Sequence, residues 1–408
     1  MAAGVSIPSF RIASAPETMV LFGSPDSVSP ALALGQSVGY NGAALTLTPR
    51  GGTMARYRVG IIACGTIARA HARGWRSHPQ TDLVAIADSN EEALKEFGEA
   101  WGIPPEHRYT DYRQMLDREK LDIVSICSWH GQHAEMTIAA AARKPLAILC
   151  EKPMATSLGE ADQMLIACRR NGVKLAIGHM RRFYSGWEQA RELVQSGAIG
   201  TPRRITTVIK QGLLNWGTHT VDGIRFVLGD PAAEWVMGAV ERQTDRYERA
   251  LRIEDACLGL VQFAGGARAL IEADLTPEGS INFFIVGTEG MLDVEENRVR
   301  LFNRETQGWR TLDNPQNDPF VDQARGLVDW IEERVTDYRG DGEKARATLE
   351  ILLAIYESVR LHAVVRLPLK TLVNPLDLLV ESGHLPVVYP GKYDIRSFLV
   401  RGEGMSWL

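Results

Sequence analysis

The sequence predicts an α/β half followed by an α+β half, and three observations carry that division. From Tyr57 to Ile177 short apolar runs alternate with helical stretches. That is the pattern of βαβ units, and so of a parallel sheet covered on both faces. Beyond Tyr184 the strand candidates mostly succeed one another, which indicates a separate α+β domain. Within that run Ala269, Ile271, Ala273 and Leu275 alternate with Arg268, Glu272 and Asp274, the mark of a mostly antiparallel sheet with one wet face.

A chain of 408 residues exceeds the size at which a single core stops growing, so two domains are expected. Residues 1–53 carry only Arg11, Glu17, Asp26 and Arg50 as charges and are expected to be a poorly ordered leader, with Met54 the natural beginning. They lack a basic region followed by an apolar one, and they lack twin arginines, so export is not expected. We divide the remainder into residues 54–180, 181–369 and a C-terminal extension, 370–408.

In the first half, Val59–Ile62 reads as a buried strand running into Ala63-Cys64-Gly65-Thr66-Ile67-Ala68 and a helix through Trp75. Leu83–Ala87 is the next strand, ending at Asp88, and helices are expected over 91–101 and 111–118. A strand at 121–127, an Ala-rich helix at 132–142 and the strand Leu146–Leu149 follow. A helix over 157–170 then stops at Asn171-Gly172, and 173–177 is strand. In the second half a helix at 188–196 precedes strands at 204–210, 235–240, 257–263, 267–275, 282–286 and 291–294. Helices at 320–334 and 343–362 close it, and the charge-rich stretch 241–252 reads as a solvated loop.

Composition excludes several functions. A net charge of −5 argues against a nucleic-acid surface or a basic membrane patch. No run reaches the roughly 18 apolar residues of a membrane helix. The five cysteines are odd in number, scattered and without a CxxC pair. They suit a reducing, cytoplasmic compartment better than a disulfide or zinc framework. His130 and His133 are spaced like metal ligands, but no third ligand stands at suitable spacing, so no metal is expected.

The chemistry gathers at two βα turns. Strand, glycine turn and helix form the dinucleotide-binding arrangement, in which loop amides and a helix N-terminus face a pyrophosphate. Against G-x-G-x-x-G/A the chain has Ala63, Gly65 and Ala68, so the first glycine is missing and Ala63 strains the turn if its φ is positive. Asp88 stands about 20 residues on, where an acid bonds the adenosine ribose. It would repel a 2′-phosphate, so NAD is favoured over NADP. The second turn is Cys150-Glu151-Lys152-Pro153, a charged pair at the exit of a buried strand, where ligands bind in open α/β sheets.

With these motifs in register, the chain resembles the Gfo/Idh/MocA oxidoreductases from about Tyr57 to Leu369. Ser128-Trp129-His130-Gly131-Gln132-His133 is similar to the family's Thr/Ser-Pro-x-x-x-His loop, with Trp129 in place of proline. Gly178-His179-Met180-Arg181-Arg182-Phe183 resembles the stretch leaving the nucleotide domain, with Arg182 the matching arginine. Gly287-Thr288-Glu289-Gly290 and Leu367-Pro368-Leu369 fit later landmarks. The family's Asp-x-Gly-x-His-x-x-Asp segment reads here Asn215-Trp216-Gly217-Thr218-His219-Thr220-Val221-Asp222, with Asn215 in place of the first aspartate.

The resemblance implies hydride transfer between NAD and a carbinol carbon of a sugar, polyol or related hydroxy compound. Ala63, Cys64, Gly65, Thr66, Ile67, Asp88, Ser128, His133, Glu151 and Lys152 would hold the cofactor, with Ser128 and His133 beside the nicotinamide ribose. His219 would be the principal acid/base, with Lys152 bonding the reacting oxygen and Asn215 orienting the substrate. Arg182, Trp216 and Asp222 would line the substrate cleft. A homo-oligomer, dimer or tetramer, would form on the wet sheet face. The alternatives are an enzyme that keeps NAD bound and recycles it in glycoside cleavage or sugar dismutation, and a non-catalytic sugar or nucleotide sensor.

Overall fold

A computed structural model of the chain describes residues 56–249, 251–276, 279–314 and 316–394. The expected leader at 1–53 and the end of the expected C-terminal extension lie outside the described residues.

The first half is built as β1 (Tyr57–Ile62), α1 (Thr66–Ser77), β2 (Thr81–Ala87), α2 (Glu91–Ala100), β3 (Arg108–Tyr109), α3 (Tyr112–Arg118), β4 (Ile123–Ile126), α4 (His133–Ala141), β5 (Ala147–Cys150), α5 (Leu158–Asn171) and β6 (Lys174–Ile177). The six strands are parallel in the order β3-β2-β1-β4-β5-β6. Every residue of β4 and β5 is buried, which is why these strands read as unbroken apolar runs instead of alternating ones. Asn90 accepts hydrogen bonds from the amides of Glu92 and Ala93 and starts α2, a cap worth about 1 kcal/mol. Gly172, left-handed at φ 70°, ends α5 as expected. Strand order reverses between β1 and β4, so a crevice opens at the carboxyl ends of those strands.

The second half continues with α6 (Ser185–Gln195), β7 (Pro202–Ile209), α7 (Thr218–Leu228), β8 (Ala233–Glu241), β9 (Thr244–Glu248), β10 (Leu251–Arg252), β11 (Ala256–Phe263), β12 (Arg268–Ala273), β13 (Phe283–Gly287), β14 (Gly290–Val294), β15 (Arg298–Asn303) and β16 (Trp309–Asp313). α8 (Pro319–Ile331), α9 (Gly342–Leu361), β17 (Val365–Arg366), α10 (Pro375–Glu381) and β18 (Tyr389–Asp394) complete it. Nine strands form one sheet, β16-β15-β14-β13-β7-β12-β11-β8-β17, antiparallel except where β7 meets β12. α9 covers β8, while Met237, Leu258 and Trp309 remain exposed. α8 returns to the first half, packing on α1, where Arg73 Nε lies 2.6 Å from Asp318 Oδ2.

The stretch 241–252 is not a solvated loop. It ends β8 and forms the β9–β10 hairpin, joined by β18 in a small separate sheet. Its charges are paired, Arg242 with Asp245, Arg246 with Asp274 and Arg252 with Asp377, so polarity there reflects ion pairs and not solvation. Leu275, expected on the buried face, lies beyond β12 and is exposed.

Candidate active site

Ala63, the residue after β1, has φ 70°, so a non-glycine does occupy the left-handed position where the missing glycine would sit. Steric crowding of its Cβ costs about 1–2 kcal/mol. The Cys64 amide donates to Asp88 Oδ2 at 2.7 Å, tying the turn to the end of β2. Cys64 is buried, and burial pushes its thiol far above the ordinary range, so it packs and does not react. Gly65 caps α1 with no side chain on the helix end, and a Cβ built there meets nothing within 4 Å. Gly65 and Thr66 are exposed and Ile67 half-buried. Open space before unspent helix amides fits a pyrophosphate, and the half-buried Asp88 carboxylate at the next strand end fits the ribose of NAD.

Glu151 follows β5 and is buried. Its Oε1 lies 2.9 Å from His71 Nε2, and His71 Nδ1 lies 2.7 Å from Ser125 Oγ. Gly178 allows this packing, since a Cβ there would stand 2.5 Å from Glu151 Oε1. Burial pushes the Glu151 carboxyl up, but the His71 hydrogen bond and the nearby Lys152 charge outweigh it, and its pKa ends below the usual range. The carboxylate is thus spent on His71 and on the Lys152 amide, 3.2 Å away.

Lys152 precedes a cis Pro153. Its Nζ lies 3.3 Å from Asn215 Oδ1 and 3.4 Å from the Asn215 carbonyl. Burial, with Arg249 and Arg181 nearby, lowers the ammonium pKa to about 8 against the opposing pull of Glu151 and Glu248. Asn215 is buried within a single π-helical turn, 213–217, and its Nδ2 has no partner among the described residues. α7 starts directly after that turn and carries His219, buried, with Nδ1 unpartnered among the described residues. Burial, then the charges of Arg181, Lys152 and His179, hold His219 well below the ordinary imidazole range.

The other expected residues are arranged differently from the sequence reading. Arg182 and Asp222 do not line a cleft: both are buried in an ion network. Arg182 reaches Asp222 at 2.6 and 2.8 Å and Asp230 at 3.0 and 2.8 Å, which uses all three of its nitrogens. His179, which the sequence reading left without a role, lies between this network and His219. Its Nδ1 is 3.4 Å from Asp222 Oδ1, its Nε2 is 3.1 Å from Thr218 Oγ1, and its ring is edge-on to His219 at 6.4 Å. His133 is wholly buried with both ring nitrogens facing carbonyls, Pro153 at 2.8 Å and Ser128 at 3.0 Å, so it joins two loops through their backbones. Ser128 is buried with its hydroxyl unpartnered among the described residues, which leaves it able to bond a ligand. His130 Nδ1 lies 3.2 Å from Glu248 Oε2, and its Nε2 lies 3.1 Å from Arg249 Nη1. Trp216 is half-buried with Lys210 Nζ 5.5 Å above its ring. Sequence reasoning missed His71, Arg181 and Arg249, which are single polar residues whose spacing signals nothing until the fold gathers them.

Comparison with known proteins agrees with this fold. Residues 57–179 match the Gfo/Idh/MocA oxidoreductase family with NAD-binding Rossmann fold. Residues 210–293 match that family's C-terminal domain, and the two matches together span just over half of the chain. The chain belongs to the Gfo/Idh/MocA family. Among its relatives are D-apiose dehydrogenase of Paraburkholderia graminis, 28% identical over 64% of this chain and 72% of that protein, and myo-inositol 2-dehydrogenase of Thermotoga maritima, 28% identical over 53% and 67%. An oxidoreductase domain protein of Kribbella flavida shares the fold with a TM-score of 0.69 and 24% identity, covering 78% of this chain and all of that one. An Agrobacterium radiobacter oxidoreductase solved with NAD+, L-tartaric acid and magnesium aligns with a TM-score of 0.67 at 21% identity over 76% and 98%. This Gfo/Idh/MocA protein is thus an NAD-binding oxidoreductase. Among its described residues no helix is long and apolar enough to cross a membrane.

Proposed function

We propose that this protein transfers a hydride between the nicotinamide of NAD and a carbinol carbon of a sugar, polyol or related hydroxy compound, with Lys152 and His219 managing the hydroxyl proton. The observation that carries the reading is the Lys152 ammonium at the carboxyl end of β5, 3.3 Å from Asn215 Oδ1 on the turn that opens the helix of His219, with burial lowering its pKa to about 8. Bound NAD supplies the hydride acceptor. An alcohol is a poor hydride donor until its proton begins to leave, so a base of suitable strength must face the hydroxyl.

Here the geometry favours a different division of work from the one the motifs suggested. His219 was expected to be the principal acid/base, yet burial first, and then the Arg181 and Lys152 charges, keep its ring neutral and weakly basic. Lys152 has moved from 10.5 to about 8, toward working pH. We assign Lys152 the proton and give His219, through its unpartnered Nδ1, the task of holding the hydroxyl. Asn215 Nδ2 offers a donor to the substrate. The Arg182–Asp222–Asp230 network supports His179 and α7 without touching substrate. Gly65, Thr66 and Ile67 amides would take the pyrophosphate, Asp88 the adenosine ribose and Ser128 the nicotinamide side.

Similarity to apiose and inositol dehydrogenases supports a polyhydroxy substrate. We further propose a division at residue 180 between nucleotide and substrate domains. The exposed Met237, Leu258 and Trp309 of the open sheet face favour a homo-oligomer formed there. The five free, buried thiols favour a cytoplasmic setting. The test is NADH absorbance on a panel of sugars and polyols. Reduction of NAD by at least one is expected, and none with any member removes the proposal.

A further inference from the structure

We propose that Glu254 and Asp274 are positioning residues whose carboxylates form an internal cradle for the turn that presents Asn215 to Lys152. The inference rests on the reading of Lys152 and Asn215 as parts of the active site. It goes beyond that reading by assigning a task to two acids that touch neither substrate nor cofactor.

The chain leaves β7 through Lys210, Gln211 and Gly212. Gln211 has φ 63° and Gly212 φ 83°, so this exit is left-handed at two successive residues. Successive backbone amides of a turn can face a common anion. Here the anions are the protein's own. Gln211 N donates to Asp274 Oδ1 at 2.8 Å and Gly212 N to Asp274 Oδ2 at 2.7 Å. Leu213 N, the next in line, donates to Glu254 Oε1 at 2.5 Å. Three amides in a row thus meet two carboxylates from different elements.

Both carboxylates are themselves anchored. Glu254 is wholly buried between β10 and β11, and Tyr356 on α9, also wholly buried, donates to its Oε2 at 2.6 Å. Asp274 follows β12, and Arg246 of β9 lies 3.3 Å from its Oδ2. Arg246 also donates to the carbonyls of Glu254 at 3.0 Å and Asp255 at 3.3 Å, joining the two halves of the cradle. A packing role alone would favour an apolar residue in place of Glu254, because burying a carboxylate is costly unless its oxygens are used. Its oxygens are used to hold the start of the 213–217 turn. The amides of Trp216 and Gly217 then return to the Gly212 carbonyl at 3.1 and 3.3 Å, closing the turn on the residue the cradle grips. Asn215 lies within that closed turn, 3.3 Å from Lys152 Nζ, and α7 with His219 leaves from its end.

The test compares Glu254→Leu, which keeps volume and removes the acceptor, with Glu254→Gln, which keeps one oxygen for the Leu213 amide. We expect Glu254→Leu to lower kcat by about 30–100-fold, the scale of a misplaced reacting group, while the Kd for NAD stays within about twofold. Glu254→Gln is expected to recover most of the lost rate. A second readout does not need turnover: the pH dependence of Lys152 carbamylation by cyanate, followed by mass spectrometry. Loss of the Asn215 acceptors is expected to shift that titration downward in Glu254→Leu and not in Glu254→Gln. Unchanged kcat and unchanged Lys152 titration in Glu254→Leu overturn the proposal, as does a glutamine variant as impaired as the leucine one. If Glu254→Leu does not fold, Asp274→Asn supplies the comparison, with a smaller loss of kcat and the same downward shift expected and no shift overturning the idea. If the wild-type protein oxidises no polyol, the proposed reaction fails, while the Lys152 titrations still decide the cradle.

Discussion

Lys152 is the residue on which the proposed chemistry most depends. Its pKa near 8 has the sign of a group that must lose a proton before it can accept one from an alcohol. Polyol oxidation is therefore expected to rise about tenfold per pH unit below 8 and to level above it. Lys152→Ala should remove that limb and lower kcat by about 10²–10⁴-fold. His219→Ala should lower kcat while leaving the limb in place, since its imidazole does not titrate in that range. The same limb surviving in Lys152→Ala would transfer the proton role to another group. Asp88 carries a second expectation at this scale. Its charge opposes a 2′-phosphate, and Asp88→Asn keeps an oxygen for the Cys64 amide while removing the charge. We expect the ratio of kcat/KM for NAD over NADP to fall by about tenfold, some 1.4 kcal/mol, and an unchanged ratio would show that Asp88 does not select the cofactor.

At the scale of elements, the β9–β10 hairpin brings Arg249 close enough to depress Lys152. Arg249→Ala removes a like charge, so the Lys152 pKa should rise and the activity limb move to higher pH, with several-fold less oxidation at pH 7. A limb that stays in place would mean that Arg249 does not set this lysine. The hairpin also shows where sequence reading stops. Buried parallel strands such as β4 and β5 were legible because helices on both faces demand unbroken apolar runs. The end of α5 was legible because Gly172 carries a local signal. The residues 241–252 were not, because charges paired across distant segments look from the sequence like charges facing water. The same holds for Arg182 and Asp222, expected in the cleft, whose pairing and burial no spacing encodes. Lys152 does meet Asn215, and His219 lies on the helix that this turn opens, yet the basicity of Lys152 and His219 follows from burial and neighbouring cations, which no spacing encodes.

At the scale of the whole molecule, the site leaves a trace in stability against pH. His179 is buried and has a pKa lowered to about 4, mainly by burial. In the unfolded chain its imidazole returns to about 6.5. Between those values the unfolded state holds a proton that the folded state does not, so stability falls as pH falls from 6.5 toward 4. A shift of that size corresponds to on the order of 3 kcal/mol. His219 and His133, also lowered and buried, act in the same direction. Glu151 and Asp222 have folded pKa values below their usual ones, so their contribution is complete above about pH 4.5 and is lost only on further acidification. Acid destabilisation should therefore begin near pH 6.5, before the carboxylates titrate. Urea denaturation of His179→Asn between pH 7 and 5 is expected to show a shallower loss of stability than the wild-type chain, by up to about 1.4 kcal/mol per pH unit. Equal slopes in the two proteins would mean that His179 is not kept neutral, and that the cationic site tolerates a second charge behind His219.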